Sequence, residues 1–366
     1  MSIYAQSIYY VSPHALSGGD GSLAAPFHLI HEAVEKARKD KNCTTIYLRE
    51  GKYILDKPLV LTSDDGNDLK ELVIKNYPGE KAIISSGIIL DLKWEKYRNG
   101  MMRATVKGNP VMDMLIVNGD LKSMARYPDY DKNAVRFNGT SALATAPERV
   151  KKWKHPEGGY LHAMHSHDWG DFHYRITGKN EKGELQLEGG WQNNRPMGIH
   201  NENRMVENIF EELDVPGEWY YNKEEGRLYY YPLPDEKINE LTFETPQLKN
   251  LIEFAGTLSA PVKNITIEGI ELTQTIRTFM EHYEPLLRSD WTIYRGGTVI
   301  FRGTEKCALR DCYIHNVGGN GVFFDKYNRY SAVTGSYLTS IGASAICFVG
   351  DVVGVRSPSF KYGEFV

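Results

Sequence analysis

Short apolar segments alternate with polar or glycine-containing turns along the N-terminal part of the chain. Each segment is rich in β-branched or aromatic residues, which is typical of β-strands. These segments are 7–12 (SIYYVS), 45–55 (TIYLREGKYIL), 58–66 (PLVLTSDDG) and 69–87 (LKELVIKNYPGEKAIISSG). Between the first two, apolar residues from Leu29 to Ala37 recur at helical spacing. This pattern predicts one amphipathic helix, at about 30–39, that caps one end of a stack of strands.

Two segments near the C-terminal end of the sequence match each other at an offset of 24 residues. CYIHNVGGNGVFF, from Cys312, aligns with SYLTSIGASAICF, from Ser336, and ten of the thirteen pairs are identical or similar in size and polarity. Self-similarity at a period between about 20 and 50 residues is the mark of a solenoid. We therefore expect Val317 to stack on Ile341 as neighbours on successive coils.

An earlier copy of the repeat begins at Asn264. NITIEGIEL, from Asn264, fits KCALRDCYI, from Lys306, if a long loop intervenes at about 279–294. Each unit holds two or three strands of four to six residues, which excludes a helical solenoid. The prediction is an all-β fold: a right-handed parallel β-helix, in which equivalent side chains of successive coils stack inside at about 4.8 Å.

The region between the early strands and the repeats differs from both in composition and in its sequence pattern. Residues 92–243 are rich in Trp, Tyr and His, lack the 24-residue period and contain strand pairs with tight turns, such as GEWYYNKEEGRLYYYPL. We predict an inserted antiparallel β-sandwich-like domain at 92–243, between solenoid regions 7–91 and 244–366.

Composition and charge narrow the classes of partner. The formal net charge is −4 and the Lys and Arg residues are scattered, whereas nucleic-acid binding needs a basic stripe. No stretch approaches the roughly 18 apolar residues of a membrane helix. We expect neither a nucleic-acid partner nor a membrane span.

The four cysteines give no sign of a metal site. They show no CxxC and no short Cys/His spacing: Cys43, Cys307, Cys312 and Cys347. Two disulfides are possible, but cysteines in a solenoid more often pack as small apolar residues. No metal and no cofactor are expected.

Polar side chains that could bind or react are most concentrated in HAMHSHDWGDFHYR, from His162 to Arg175. Residues of equal parity share one face of a strand, and the odd-numbered residues from 165 to 173 are His165, His167, Trp169, Asp171 and His173. An aromatic ring for stacking beside a carboxylate for hydroxyl groups resembles a sugar site. A metal cluster and a solvated polar face are the alternatives.

Two further groups carry candidate roles. Trp291 and Arg295 end the loop that interrupts the repeats, where a ring could stack on a sugar and a guanidinium could bind an acidic sugar. The alternative is that Trp291 pins the loop to the solenoid. Asp325 and Asp351 are 26 residues apart, close to one period, so they are candidates for a catalytic carboxylate pair on neighbouring coils. Asp residues in such turns more often bind the local backbone.

Several stretches resemble the large bacterial right-handed β-helix proteins that include family 141 of the glycoside hydrolases. These stretches are LVIKNYPGEKAIISSG, IVNGDLKSMARYP, HSHDWGDFHYRITGK, FEELDVPGEWYYNKEEGRLYYYP, LLRSDWTIYRGG and ASAICFVGD. The resemblance implies a secreted or periplasmic enzyme that acts on α-L-fucosides or xylan, with an oligosaccharide or polysaccharide as its partner. A polysaccharide lyase and a non-catalytic carbohydrate-binding fragment are the alternatives.

The resemblance also concerns the end of the chain. Such proteins continue for several more coils, and the carboxylates thought to act in family 141 lie in those coils. The expectation from the resemblance is that this chain corresponds to an N-terminal portion, and that it hydrolyses fucosides or xylan poorly.

Overall fold

The computed structural model describes residues 6–192, 198–285 and 292–351. Their contacts divide the chain into two compact units. The described residues of unit one are 6–88, 246–277 and 295–351, and those of unit two are 89–192, 198–245, 278–285 and 292–294. The strand Gly87–Ile89 contains the boundary residue Ile88.

Unit one consists mainly of three sheets in which the strands run parallel. Sheet one is formed, in spatial order, by Gln6–Val11, Cys43–Leu48, Leu72–Asn76, Ile265–Glu268, Ala308–Arg310 and Ala332–Thr334. Sheet two is formed by Gly51–Ile54, Ala82–Ser85, Glu271–Thr275, Tyr313–Val317 and Tyr337–Ile341. Sheet three is formed by Leu59–Leu61, Ile252–Ala255, Val299–Glu305, Val322–Arg329 and Ile346–Val349, with Val262–Lys263 beside Val299–Glu305. The chain visits the sheets in turn, which is consistent with a solenoid of the β-helix type.

The repeat register predicted from the sequence is confirmed. Val317 pairs with Ile341, and Val322 pairs with Ile346, at the 24-residue offset. The earlier copy is also in register, because Ile267 pairs with Leu309. Parallel pairing in this register places equivalent side chains one above another.

The core of unit one is built from these stacked side chains. One ladder on sheet three consists of phenylalanines: Phe254, Phe301 and Phe324 stack with ring centroids 4.4 and 4.6 Å apart, and Phe348 follows at 4.4 Å. Phe301 is fully buried. Each ring therefore buries apolar area against its neighbours and gains the added stability of aromatic contact.

An α-helix covers the first coil. It runs from Ile30 to Lys39, packs against Gln6–Val11 and Cys43–Leu48, and buries Ile30, Ala33, Val34 and Ala37 in the core. The Glu32 carboxylate accepts the backbone N–H groups of His28 and Leu29 and so caps the helix start. The periodicity of the sequence predicted this helix correctly.

The corners of the coils require an unusual backbone conformation. Gly269, Asp311 and Gly335 occupy equivalent corners, and all three have a positive φ, of 66°, 51° and 62°. Glycine and aspartate tolerate this region better than other residues.

Unit two is mainly antiparallel. Its largest sheet has five strands, in the order Arg126–Tyr127, Ile199–Glu207, Tyr160–His165, Asp171–Lys179 and Leu185–Gly189. A second sheet contains Trp219–Asn222, Arg227–Tyr230, Met102–Thr105 and Glu95–Lys96, and a third pairs Leu115–Val117 with Asp120–Lys122 and Phe243–Pro246. Glu284–Pro285 pairs with Thr292–Ile293. The helical segments are short: Ala142–Thr145, Pro147–Val150, Phe210–Glu212 and Ile238–Glu240.

All four cysteines are free. Cys307, Cys312 and Cys347 are buried and Cys43 is partly exposed. Cys307 and Cys312 belong to the core of unit one, so the reading of these cysteines as small apolar residues is the correct one.

Candidate functional site

The candidate site in unit two is built on a hairpin of the five-stranded sheet. The strands Tyr160–His165 and Asp171–Lys179 pair so that His162 lies opposite His173 and Met164 opposite Asp171. The third strand, Ile199–Glu207, pairs with Tyr160–His165 from the other side. This pairing brings together side chains that are far apart in the sequence.

Four of these side chains form a continuous chain of polar contacts, which we call the histidine relay. It runs from Glu207 through His162 and His173 to Asp171. The Glu207 Oε1–His162 Nε2 distance is 3.1 Å, the two Nδ1 atoms of His162 and His173 are 2.7 Å apart, and His173 Nε2 lies 3.3 Å from Asp171 Oδ2.

All three contacts of the relay are hydrogen bonds only with one particular set of protons. Each carboxylate faces an Nε2 atom, so each imidazole must carry a proton there to donate. The contact between the two Nδ1 atoms needs one further proton, on one ring or the other. When all three contacts are hydrogen bonds, the pair of imidazoles therefore carries one positive charge between two negative carboxylates.

The two ends of the relay differ in their exposure to solvent. The side chains of Glu207, His162 and His173 are 11%, 9% and 12% exposed, whereas that of Asp171 is 47% exposed. Phe279 packs against both imidazoles, at centroid distances of 5.0 and 5.2 Å. Asp171 is therefore the member of the relay that a ligand from solvent reaches most readily.

Electrostatics give Asp171 and its neighbour Tyr283 opposite protonation states. Burial favours a neutral Asp171, but the hydrogen bond from His173 and the charge of the imidazoles outweigh it and hold the pKa of Asp171 below its usual range. Burial, together with the negative charge of Asp171, raises the pKa of Tyr283 to about 12. Near neutral pH the site thus offers a carboxylate acceptor and a phenol donor.

The relay is held by a glutamine that touches two parts of unit two. The Gln192 side chain accepts the backbone N–H of His173 at 3.0 Å and donates to the carbonyl of Phe279 at 2.6 Å. Gln192 is buried. The side chain thus fixes the backbone at His173 and the ring that packs on it.

The turn of the same hairpin presents an exposed tryptophan. Trp169 is 56% exposed and stacks on the fully buried His165, with ring centroids 5.7 Å apart and an angle of 8° between the planes. The N–H of His167 donates to His165 Nδ1 at 3.1 Å, which fixes the supporting ring. The indole is therefore a supported, solvent-facing aromatic surface.

The prediction that His165 shares a face with Asp171 and His173 is wrong. His165 packs on Phe172, at a centroid distance of 5.9 Å, and Phe172 is on the opposite face from its neighbours Asp171 and His173. The reason is that residues 166–170 form a turn, so the alternation of one strand does not continue into the next. The hairpin brings His165, His167 and Trp169 together, and separately Asp171 and His173.

A second polar network lies in unit one, on the outer side of sheet three. Asp325 is almost fully buried: its Oδ1 accepts from Arg295 at 2.6 Å and its Oδ2 accepts from Arg302 at 2.7 Å. Arg302 also donates to Glu253 at 2.6 Å. Burial alone would lower the pKa of Arg302, but the hydrogen bond to Asp325 and the charges of Asp325 and Glu253 outweigh it and raise that pKa.

This network places Arg295 and Asp325 together but does not pair Asp325 with Asp351. The neighbour of Asp325 on the next coil is Val349, and Asp351 is exposed beyond the end of that strand. The expectation that the two carboxylates face each other is therefore wrong by two residues. Both Asp325 oxygens are already bound by guanidinium groups. Trp291 lies outside the described residues.

Unit one also has a cavity of about 460 Å³ beside the helix Ile30–Lys39. Its lining carries both signs of charge and includes His28, Glu35, Lys52 and Asp56. None of the site residues predicted from the sequence lines it.

The sequence alone did not identify Glu207 or Tyr283 as site residues. It also did not predict that His162 contacts His173. Glu207 lies 45 residues from His162, and only the pairing of the strands joins them.

Among the residues that the structure describes, no group of three or more His, Cys, Asp or Glu could hold a metal ion. Within the same residues, no helix has the length and apolar character to cross a membrane.

Comparison with known proteins shows a likeness of fold. No protein-family model matches the chain, and no curated protein sequence matches it. A solved structure named glycoside hydrolase aligns over 90% of this chain and 65% of its own, with a TM-score of 0.74 and 20% identity. A structure of XylC with xylose aligns over 92% of this chain and 54% of its own, with a TM-score of 0.45 and 12% identity. The chain thus spans less than two thirds of the length of either protein.

Proposed function

We propose that this chain is part of a carbohydrate-active enzyme of the glycoside hydrolase type, with unit one as a right-handed parallel β-helix. Three parallel sheets, with a 24-residue register between the last two coils, support the architecture. The fold likeness to a glycoside hydrolase, at a TM-score of 0.74, supports the class of reaction, as does the sequence resemblance to family 141. The resemblance favours α-L-fucosides or xylan as substrates and a secreted or periplasmic location.

The observation that carries the proposed site is the histidine relay ending in a half-exposed, ionised carboxylate, Asp171. Such a carboxylate accepts hydrogen bonds from sugar hydroxyl groups, and the phenol of Tyr283 donates to sugar oxygens. Because its pKa is lowered, Asp171 suits the role of acceptor or general base rather than that of general acid.

Substrate binding further involves the supported indole of Trp169, with which the apolar face of a sugar ring stacks. His165 contributes by supporting that indole. Arg295, in unit one, remains a candidate for contact with substrate and Asp351 for catalysis, whereas the catalytic candidate Asp325 is buried and bound by two guanidinium groups. In this role Asp171 supplies one of the two carboxyl groups that glycoside hydrolysis needs.

The experiment measures binding and turnover of xylose-based and fucosylated oligosaccharides by the whole chain, using calorimetry and the release of reducing sugar. Asp171→Asn should weaken binding roughly tenfold, because a charge-assisted hydrogen bond is lost. Asp168→Asn is the matched control: it makes the same change in the same hairpin, at a residue that pairs with Arg136 outside the relay.

Two outcomes would contradict the proposal. Unchanged binding and turnover in Asp171→Asn would remove the relay from the site. Release of unsaturated sugars would identify an eliminating enzyme, a polysaccharide lyase, in place of a hydrolase.

A further inference from the structure

A loop of unit two, residues 128–139, contributes a phenylalanine to the surroundings of the histidine relay; we call it the cover loop. Phe137 packs against both imidazoles, with ring centroids 6.1 Å from His162 and 6.2 Å from His173. Such distances are typical of aromatic contact. Phe279 packs on the same two rings, and the imidazole side chains are only 9% and 12% exposed. The cover loop thus supplies part of the apolar cover of the relay.

The backbone that carries this phenylalanine has a conformation that it does not favour by itself. Phe137, Asn138 and Gly139 have positive φ values, of 47°, 53° and 130°. A residue with a bulky side chain is strained in the left-handed region, so it stays there only where surrounding contacts impose it. The position of the Phe137 ring therefore depends on the contacts that hold this backbone.

Arg126, at the start of the loop, supplies such contacts. Its Nε donates to the carbonyl of Pro128 at 2.7 Å, and its Nη2 donates to the carbonyls of Phe137 at 2.7 Å and Gly139 at 3.1 Å. Arg126 is 5% exposed. Hydrogen bonds from a charged donor are the strong kind, and the planar guanidinium fixes their geometry. Arg126 thus ties the two ends of the cover loop together and holds the backbone at Phe137.

The charge of Arg126 also bears on the relay. Arg126 lies opposite Glu207 in the antiparallel pairing of their strands, so the two side chains share one side of the sheet. Burial lowers the pKa of Arg126, and the nearby negative charges of Glu207, Glu218 and Asp129 act in the opposite direction. Arg126 therefore has two routes to the relay, through its hydrogen bonds to the loop and through its charge.

We infer that Arg126 is a positioning residue of the histidine relay and that it acts through Phe137. It holds the cover loop so that the phenylalanine ring keeps water away from the proton shared by His162 and His173, whose Nδ1 atoms are 2.7 Å apart. A hydrogen bond is stronger in such a low-dielectric environment than in water. The value of this protection for catalysis rests on the proposed function, whereas the protection itself does not.

The test is nuclear magnetic resonance of the whole chain with isotope-labelled histidine, which follows the exchange with water of the proton between the two Nδ1 atoms. Phe137→Ala and Arg126→Met should each speed this exchange roughly tenfold or more, because water then reaches the contact. Phe137→Leu keeps an apolar cover and should restore most of the protection. Phe210→Ala is the matched control, since it removes a phenylalanine of unit two that packs on tyrosines. Thermal unfolding of each variant checks that the fold is intact.

The double variant Arg126→Met/Phe137→Ala separates the two routes. If Arg126 acts through Phe137, the double variant exchanges no faster than the faster of the two single variants. Effects that multiply would show that Arg126 acts through its charge instead, and would overturn the positioning role. Arg126→Lys keeps the charge but has one binding nitrogen in place of two, and its exchange rate should lie between those of the wild type and Arg126→Met. It carries the comparison if Arg126→Met does not fold.

The outcomes separate this inference from the proposed function, because the exchange measurement needs no sugar. A wild-type exchange rate in a folded Phe137→Ala variant would overturn the inference. So would a wild-type proton that exchanges as fast as that of an exposed histidine. Faster exchange in the variants, together with unchanged sugar binding in Asp171→Asn, would support the role of Arg126 and count against the relay as a sugar site.

Discussion

Glu218, in unit two, is a buried carboxyl group whose environment predicts a measurable dependence of stability on pH. It is 3% exposed, and among the described residues neither of its oxygens has a hydrogen-bond partner. Burial and the nearby negative charges of Asp214 and Asp129 raise its pKa from 4.5 to about 8. Glu218 is therefore neutral in the folded protein at pH 7.

The direction of the effect follows from proton binding. Between about pH 4.5 and pH 8 the folded state holds a proton on Glu218 that the unfolded state has lost. The free energy of unfolding therefore falls as the pH rises through this window, and it levels off above it. At about 1.4 kcal/mol for each pKa unit, the shift corresponds to roughly 5 kcal/mol.

The substitution Glu218→Gln tests this reasoning, because glutamine has the shape of the protonated acid but does not ionise. We expect the variant to match the wild type near pH 4.5 and to be more stable by roughly 5 kcal/mol near pH 9. Urea unfolding followed by tryptophan fluorescence reports on unit two through the adjacent, buried Trp219. Glu224→Gln, an exposed site in the same strand–turn–strand segment, is the control. A wild-type stability that is flat from pH 5 to pH 8, or an equal slope in Glu218→Gln, would refute the argument.

Two predictions concern unit one. Phe301→Ala removes the centre of the phenylalanine ladder and should lower the free energy of unfolding by about 3–5 kcal/mol. Phe348→Ala, at a ring that is 73% exposed, should lower it by about 1 kcal/mol or less. Equal losses of stability in urea unfolding would contradict the ladder. Burial raises the pKa of Cys307 to about 12 and that of Cys312 to about 11. Iodoacetamide at pH 8 should therefore label Cys43 alone in the native chain. If mass spectrometry finds Cys307 or Cys312 labelled before unfolding, these residues are not held in the core.

The repeats were predictable from the sequence because a solenoid uses the same positions in every coil. Ile267 and Leu309 face the same core through the same register, so local similarity carries the pairing directly. The helix Ile30–Lys39 was predictable for a related reason: its buried residues follow one helical face.

The histidine relay was not predictable in the same way. His162 meets His173 across a hairpin, and Glu207 comes from a third strand, so the contacts depend on tertiary pairing. The assignment of His165 to the face of His173 failed because a turn interrupts the alternation. Asp325 was recognised as a candidate carboxylate, but its contacts with Arg295 and Arg302 were not predicted. Arg302 belongs to the preceding coil, and the next-coil neighbour of Asp325 is set by a register of 24 residues rather than 26.

The central claim, that a sugar binds at the histidine relay, is tested most directly by nuclear magnetic resonance of the chain with isotope-labelled histidine. We expect titration with xylose-based or fucosylated oligosaccharides to move the imidazole signals of His162 and His173, because the bound hydroxyl groups share the Asp171 carboxylate with His173. The signals of His14 and His31, in unit one, should stay in place. Saturable binding that leaves the His162 and His173 signals unchanged would contradict the account.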